Sequence, residues 1–184
     1  MARGRPSKKG LIADAALNLF KVAGYQGTSI DQVVLEAAVS KPTVYSNFPS
    51  KLLLWQEVLR QIIARSEQQL VALEHSLKQE SADFSYGWVA IWQAWSDADD
   101  RLAAYRIHWG EQHKLSAEEQ AMFEVLEQHL ANTLARWMAY HNVAAEQHFT
   151  LFAVSREACL LPAIANRPSD CADLGQLIEQ LIKS

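Results

Sequence analysis

Five of the seven residues from Lys41 to Asn47 carry a hydrogen-bonding side chain: Lys41, Thr43, Tyr45, Ser46 and Asn47. Wound into one short helix, this stretch buries Val44 and Phe48, four residues apart, and turns the polar groups outward. Hydroxyls and a lysine in such a row suit phosphate oxygens, and Thr and Tyr also offer apolar contact to a thymine methyl. Lys51 follows Pro49-Ser50 at the start of the next helix, where its charge and the first amides of that helix can meet a polyanion backbone. Arg3, Arg5, Lys8 and Lys9 stand within the first nine residues with no acid among them. Arg3-Gly4-Arg5-Pro6 has the composition of an extended arm that enters a narrow A·T-rich minor groove; the plainer alternative is a tail that adds only non-specific charge.

The distribution of charge points the same way. The first 51 residues hold seven Lys/Arg against three acids, yet the whole chain has a net charge of -4. The first quarter is therefore basic and the rest acidic, which suits a chain that offers one end to a polyanion. At 184 residues there is room for one domain, or a small one joined to a larger. Gly (7) and Pro (5) are scarce and 49% of the residues are hydrophobic, which favours long helices around a real core. No run approaches about 18 consecutive apolar residues, so no membrane span is expected. No apolar run follows the basic start, so no secretory signal is expected either. That predicts a cytoplasmic protein in which Cys159 and Cys171 are reduced thiols, buried as small hydrophobes. There is no Gly-x-Ser-x-Gly, phosphate-cradling Gly loop, His-Glu-x-x-His or paired-Cys motif, so neither catalysis nor a cofactor is expected. His108, Glu111 and His113 are close in sequence, but Gly110 is expected to break the helix between them, so no metal site is predicted.

The elements that position these groups read as helices throughout. Leu11, Ile12, Ala15, Ala16, Leu19, Phe20 and Ala23 form one stripe of 3.6 period, ended by Gly24. Thr28 or Ser29 caps a second helix with Ile30, Val33, Val34 and Ala37 inside. After Ala38-Val39-Ser40, Ser40 caps a third helix whose Pro42 sits harmlessly in its first turn. Ser50 caps a long fourth helix with Leu52, Trp55, Val58, Leu59, Ile62, Ile63, Leu70, Leu73 and Leu77 on its stripe. Beyond a break near 81–83, further helices are predicted over about 84–96, 99–109, 116–141, 144–165 and 170–183; the third of these opens with the box Ser116-Ala117-Glu118-Glu119. The fold class is all-α, with nine or so helices.

Two short helices joined by a three-residue turn, at about 29–48, fit a helix-turn-helix. The text Ala15-Ala16, Leu19-Phe20, Gly24-Tyr25, Thr28-Ser29-Ile30, Val33, Ala37 to Tyr45, Asn47 to Lys51 and Leu53 resembles the tetracycline-repressor (TetR) family of bacterial transcriptional regulators. Two positions depart from the family pattern: Ala38, where glycine is common, and Leu52, where a charged residue is usual. If Ala38 occupies a left-handed turn, its side chain costs on the order of 1 kcal/mol. The resemblance implies a DNA-binding domain over residues 6–66 and a ligand-binding and dimerisation domain over 67–184. It also implies DNA contacts from Tyr25, Thr28, Ser40, Lys41, Thr43, Tyr45 and Lys51, with Ser46, Asn47, Lys8, Arg3 and Arg5 beside them.

Family position further implies an effector site between helices of the acidic part. Trp88, Trp92 and Trp95 share one helical face there; Tyr105, His108 and Trp109 cluster on the next helix, and Trp137, Tyr140 and His141 end the long one. Aromatic walls suit a flat aromatic molecule or a hydrophobic cation, with Glu111, Glu124 or Glu127 as counter-charge. An aromatic stripe is equally what a packed core looks like. The last two helices pair with their symmetry mates in the family, and the stripes of Phe149, Phe152 and Leu160, and of Leu174, Leu177, Ile178 and Leu181, suit a homodimer that reads two half-sites of a palindrome. A repressor released by its effector is the expected function; a ligand-independent DNA-organising protein of the same fold, acting through a protein partner, is the alternative.

Overall fold

The computed structural model describes residues 7–169 and 171–183, so Arg3 and Arg5 lie outside the described residues. Four serines set the N-terminal register. Ser7 opens α1 (Lys8–Gly27) by accepting from the Gly10 amide at 3.0 Å. Ser29, rather than Thr28, opens α2 (Ile30–Glu36) in a reciprocal box with Gln32. Ser40 opens α3 (Lys41–Asn47), and Ser50 opens the 29-residue α4 (Lys51–Gln79). Gly24 does not end α1. It takes a left-handed φ of 71° and kinks the chain, which then makes one more turn to Gly27. Ala38, in the turn between α2 and α3, takes φ 51°, in the left-handed region.

Asp83 caps α5 (Phe84–Ser96). α6 (Asp99–Glu111) runs through Gly110, where glycine weakens a helix without forcing it to stop, and a 3-10 turn, Gln112–Lys114, follows. The predicted box at Ser116 and Glu119 opens α7 (Ala117–Tyr140). The single helix predicted over 144–165 is instead a 3-10 turn, then α8 (His148–Ser155), a wider π turn (Arg156–Leu160) and the short α9 (Leu161–Ile164). Pro162 has no N–H to give the carbonyl four residues back, so the regular ladder loosens just ahead of it. α10 (Cys171–Lys183) closes the described chain.

The cysteines depart from expectation. The π turn aims Cys159 at the first residue of α10, and the sulfurs of Cys159 and Cys171 are joined in a disulfide with their Cα atoms 5.4 Å apart. Both are buried; two thiols brought this close in a shared interior are within bridging reach. Spacing in the sequence could not show it, because the contact exists only after the helices pack.

One continuous core runs along α4. At its N-terminal end Ile12, Ala16, Phe20, Val33, Val44, Phe48 and Trp55 pack together, with Phe20 edge-on to Trp55 at 5.5 Å. Further along, α4 packs against α7 and α5 around Leu70, Leu77, Trp88, Leu126 and Leu134. Among the described residues no helix is long and apolar enough to cross a membrane.

Candidate nucleic-acid interface and interior site

α3 docks through Val44 and Phe48, which are almost wholly buried. Its other side carries the predicted polar row, already ordered by local bonds. Ser40 and Thr43 hydroxyls are 2.7 Å apart, and Ser46 and Asn47 both donate to the Thr43 carbonyl. Tyr45 is exposed and has no ring partner among the described residues. Lys41 is exposed and paired with Asp31 of α2 at 2.7 Å; that hydrogen bond and charge raise its pKa further above neutrality. An exposed pair of this kind exchanges readily for a phosphate. Lys8 is exposed in the first turn of α1.

Three other predicted contacts face inward. Lys51 donates to the carbonyls of Tyr25 at 2.9 Å and Thr28 at 3.1 Å, and lies over the Tyr25 ring at 4.4 Å. Thr28 is buried and donates to the Gly24 carbonyl at 2.8 Å. Tyr25 is half-buried, and burial with the charges of Glu119 and Glu111 raises its pKa. These residues set where the end of α1 sits relative to α4. The seam continues into the acidic part: the Gln26 amide donates to Glu111 of α6 at 3.3 Å, beside a cavity of about 420 Å³ lined by Tyr25, Leu52, Glu111, Leu115 and Glu119 among others.

The predicted aromatic wall separates into two groups at the two ends of α5. At one end Trp88 donates to Ser155 at 2.8 Å, Trp137 donates to the Phe84 carbonyl at 3.0 Å, and Tyr140 and His141 pack on Trp137. At the other end Trp95 donates to the Tyr105 hydroxyl at 3.2 Å, Tyr105 contacts Trp109 and Phe123, and His108 stacks on Phe123 at 3.8 Å. Trp88, Trp92, Trp95 and Trp137 are all 0% exposed, whereas Trp109 and Tyr140 reach the surface. Burial pushes the Tyr105 hydroxyl up, with Glu127 adding to the shift, and burial pushes the Glu127 carboxyl up despite Arg156 nearby. Burial lowers both His108 and His141. Four of these interior polar atoms have no partner: Trp92 Nε1, Ser96 Oγ, His108 Nδ1 and His141 Nε2.

The model for bacterial regulatory proteins of the tetR family matches residues 12–58, the segment from α1 into α4. Over that segment the chain is similar to the TetR family. It is 42% identical over 62 residues to the transcriptional regulator RutR of Escherichia coli K12, covering 34% of this chain and 29% of RutR. It is 30% identical over 113 residues to the transcriptional repressor ComR of the same organism, covering 58% of this chain and 52% of ComR. The chain thus matches about half, or less, of these relatives. A transcriptional regulator from Saccharomonospora viridis, solved in complex with choline, shares the fold at 18% identity with TM-score 0.76, covering 95% of each chain.

The predicted dimer residues divide. Phe149 (81% exposed) and Leu177 (41%) stand on the surface, each lining a different groove, with Glu157 lining both. Leu160, Leu174 and Ile178 are buried in their own subunit, and Phe152 packs on Trp92. Leu181 is partly buried against the core.

Sequence reasoning missed two arginines that tie helices of the acidic part together. Arg101, 2% exposed, donates to Trp95 and Ala94 carbonyls at the end of α5 and to Ser66 and Gln69 of α4. Arg106 of α6 donates to the Ala163 and Ile164 carbonyls that end α9. Both donate to carbonyls in the last turn of another helix, and no sequence period signals such a partner.

Proposed function

We propose that this chain is a homodimeric DNA-binding transcriptional regulator: a cytoplasmic repressor that leaves a palindromic operator when a small hydrophobic, aromatic or cationic effector binds. The observation that carries this reading is α3. It is capped, docked by Val44 and Phe48, and presents Lys41, Thr43, Tyr45 and Ser46 outward. Residues 6–66 form the DNA-binding domain and 67–184 bind ligand and dimerise. Two recognition helices one DNA turn apart read two half-sites. An effector between the acidic-part helices shifts α4, which joins both domains, and the recognition helices lose their spacing. DNA and effector then weaken each other equally; a 100-fold preference gives a coupling of about 2.7 kcal/mol.

The dense packing of the four tryptophans favours the second reading, a DNA-organising protein that takes no effector. The interior polar atoms without partners favour the first, since each is a group that a ligand can satisfy. Selection of random duplexes at stated salt, by the full chain and by one lacking residues 2–9, tests the reading. A short palindrome supports the specific regulator. Binding without an enriched sequence, collapsing as salt rises, overturns it in favour of the organiser. Loss of A·T preference at fixed positions on truncation makes the arm a groove reader; a shallower salt slope alone makes it a charged tail.

A further inference from the structure

Two fastenings hold the short segment between α9 and α10. At its start the Arg106 guanidinium donates to the carbonyls of Ala163 and Ile164 and to the Asn166 side chain, at 2.9, 2.8 and 2.7 Å. At its end the Cys159–Cys171 bond joins the π turn to the first residue of α10, 12 positions on in the sequence. Residues 165–169 between the two fastenings are exposed. The paired cysteines are not equivalent: Cys159 is 0% exposed and Cys171 is 7% exposed. Cys171 also stands in the first turn of a 13-residue helix, where unpaired amides favour a thiolate over a thiol. The surroundings of the bond are continuous with the proposed dimer face. One groove of about 580 Å³ is lined by Ala158, beside Cys159, by Arg167 and Pro168, ahead of Cys171, and by Leu177 of α10.

We propose that Cys159 and Cys171 form a reversible switch closed by peroxide: Cys171 is oxidised first, Cys159 resolves it, and the closed bond fixes α10 against the π turn beside the dimer face. This rests on the reading of the chain as a dimeric cytoplasmic DNA-binding regulator. Among the reducing thiols of that compartment a disulfide opens and closes with the oxidant supply rather than persisting. The Cys171 thiolate attacks one oxygen of hydrogen peroxide; the O–O bond breaks, leaving a sulfenic acid and a hydroxide that takes up a proton to become water. The Cys159 thiol then gives up its proton and attacks the Cys171 sulfur; the S–O bond breaks and a second water leaves. Two electrons have passed from the sulfurs to the peroxide. Two equivalents of a small thiol return them by exchange. With the bond open, α10 keeps the packing of Leu174 and Ile178, and Arg106 still holds the start of the segment. The first turn of α10 loses its covalent tie. Leu177 lies within two turns of Cys171 on the same helix, so its place on the dimer face follows that turn.

The test uses the full chain, reduced with dithiothreitol and then treated with hydrogen peroxide. Peroxide should consume both thiols, and dithiothreitol should restore them. Cys159→Ala should stop at a sulfenic acid on Cys171 that dimedone traps, whereas Cys171→Ala should leave nothing on Cys159 to trap. In sedimentation the oxidised parent should dimerise about tenfold more tightly than the reduced parent, because a face already fixed loses less freedom on association. Duplex binding should tighten with it. The two forms of the parent carry this comparison without any substitution. Thiols that stay free in peroxide overturn the proposal, as does a bond that glutathione cannot open in the folded chain, or trapping on Cys159 instead of Cys171. Equal dimerisation of the two forms overturns it as well. If neither form dimerises, the homodimer reading fails, and amide exchange along α10 decides the switch by itself: slower exchange in the oxidised form supports it, and equal exchange overturns it.

Discussion

The ammonium group of Lys51, at the first position of α4, reaches the carbonyl oxygen of Tyr25 near the end of α1 at 2.9 Å. With a second bond to Thr28 and the Tyr25 ring beneath it, this lysine ties the kinked end of α1 to the start of α4. Lys51→Met should therefore lower stability by about 1 kcal/mol after allowance for solvent screening. It should leave the salt dependence of DNA binding unchanged. Lys41→Met should do the opposite, reducing the salt slope by about one phosphate with little change in stability. Denaturant melts and binding titrations at several salt concentrations separate the two roles; a reduced slope for Lys51→Met would assign that lysine to the DNA backbone after all.

Ala38 carries a side chain at φ 51°. Ala38→Gly should stabilise the fold by about 0.5–1 kcal/mol, because glycine enters the left-handed region without the Cβ clash. In a thermal melt that is a rise of about 1–4 °C for a chain of this size.

Gly87 of α5 lies under the Trp137 ring so closely that an added Cβ would fall within the ring's own contact radius. Trp137 cannot easily withdraw, since it is wholly buried and donates to the Phe84 carbonyl. Gly87→Ala should cost about 1–3 kcal/mol through overpacking. Calorimetry checks this, and an unchanged melting temperature would show that α5 and α7 can part.

Phe149 is the most exposed of the predicted dimer residues. Phe149→Glu should convert a dimer to monomers by removing about 4 kcal/mol from two copies of the side chain, on the order of a thousandfold in dissociation constant. Sedimentation equilibrium measures it. The monomer's fold should be unaffected, since the side chain buries almost nothing within its own subunit.

Stability should also depend on pH in two windows. Burial lowers His108 and His141 below the ordinary 6.5, so the unfolded chain takes up protons first as pH falls. Stability should decline as pH drops from about 7 through 6.5, and replacing either His by Asn should flatten that decline. For Glu74, burial pushes the carboxyl up, but Arg136 and Lys78 outweigh it and hold the pKa below 4.5. Its stabilisation is present above 4.5 and is lost as pH falls through the lowered value. Glu74→Gln should thus be destabilising at neutral pH and converge with the parent in acid.

The sequence by itself determined the N-terminal unit. Ser29, Ser40 and Ser50 each act on the amide three residues ahead, and Val44 and Phe48 turn to one side of α3 and its end, so local spacing was enough to place α2, α3 and the start of α4. The capping box at Ser116 was legible for the same reason. Tertiary structure decided what depends on partners far along the chain. It turned Lys51 inward to carbonyls 26 and 23 residues away, divided the tryptophan stripe into two groups, and joined Cys159 to Cys171 across a π turn that no hydrophobic period announces. A cap or a stripe is written in neighbouring residues, whereas the partner of a buried charge or thiol is fixed only when helices pack.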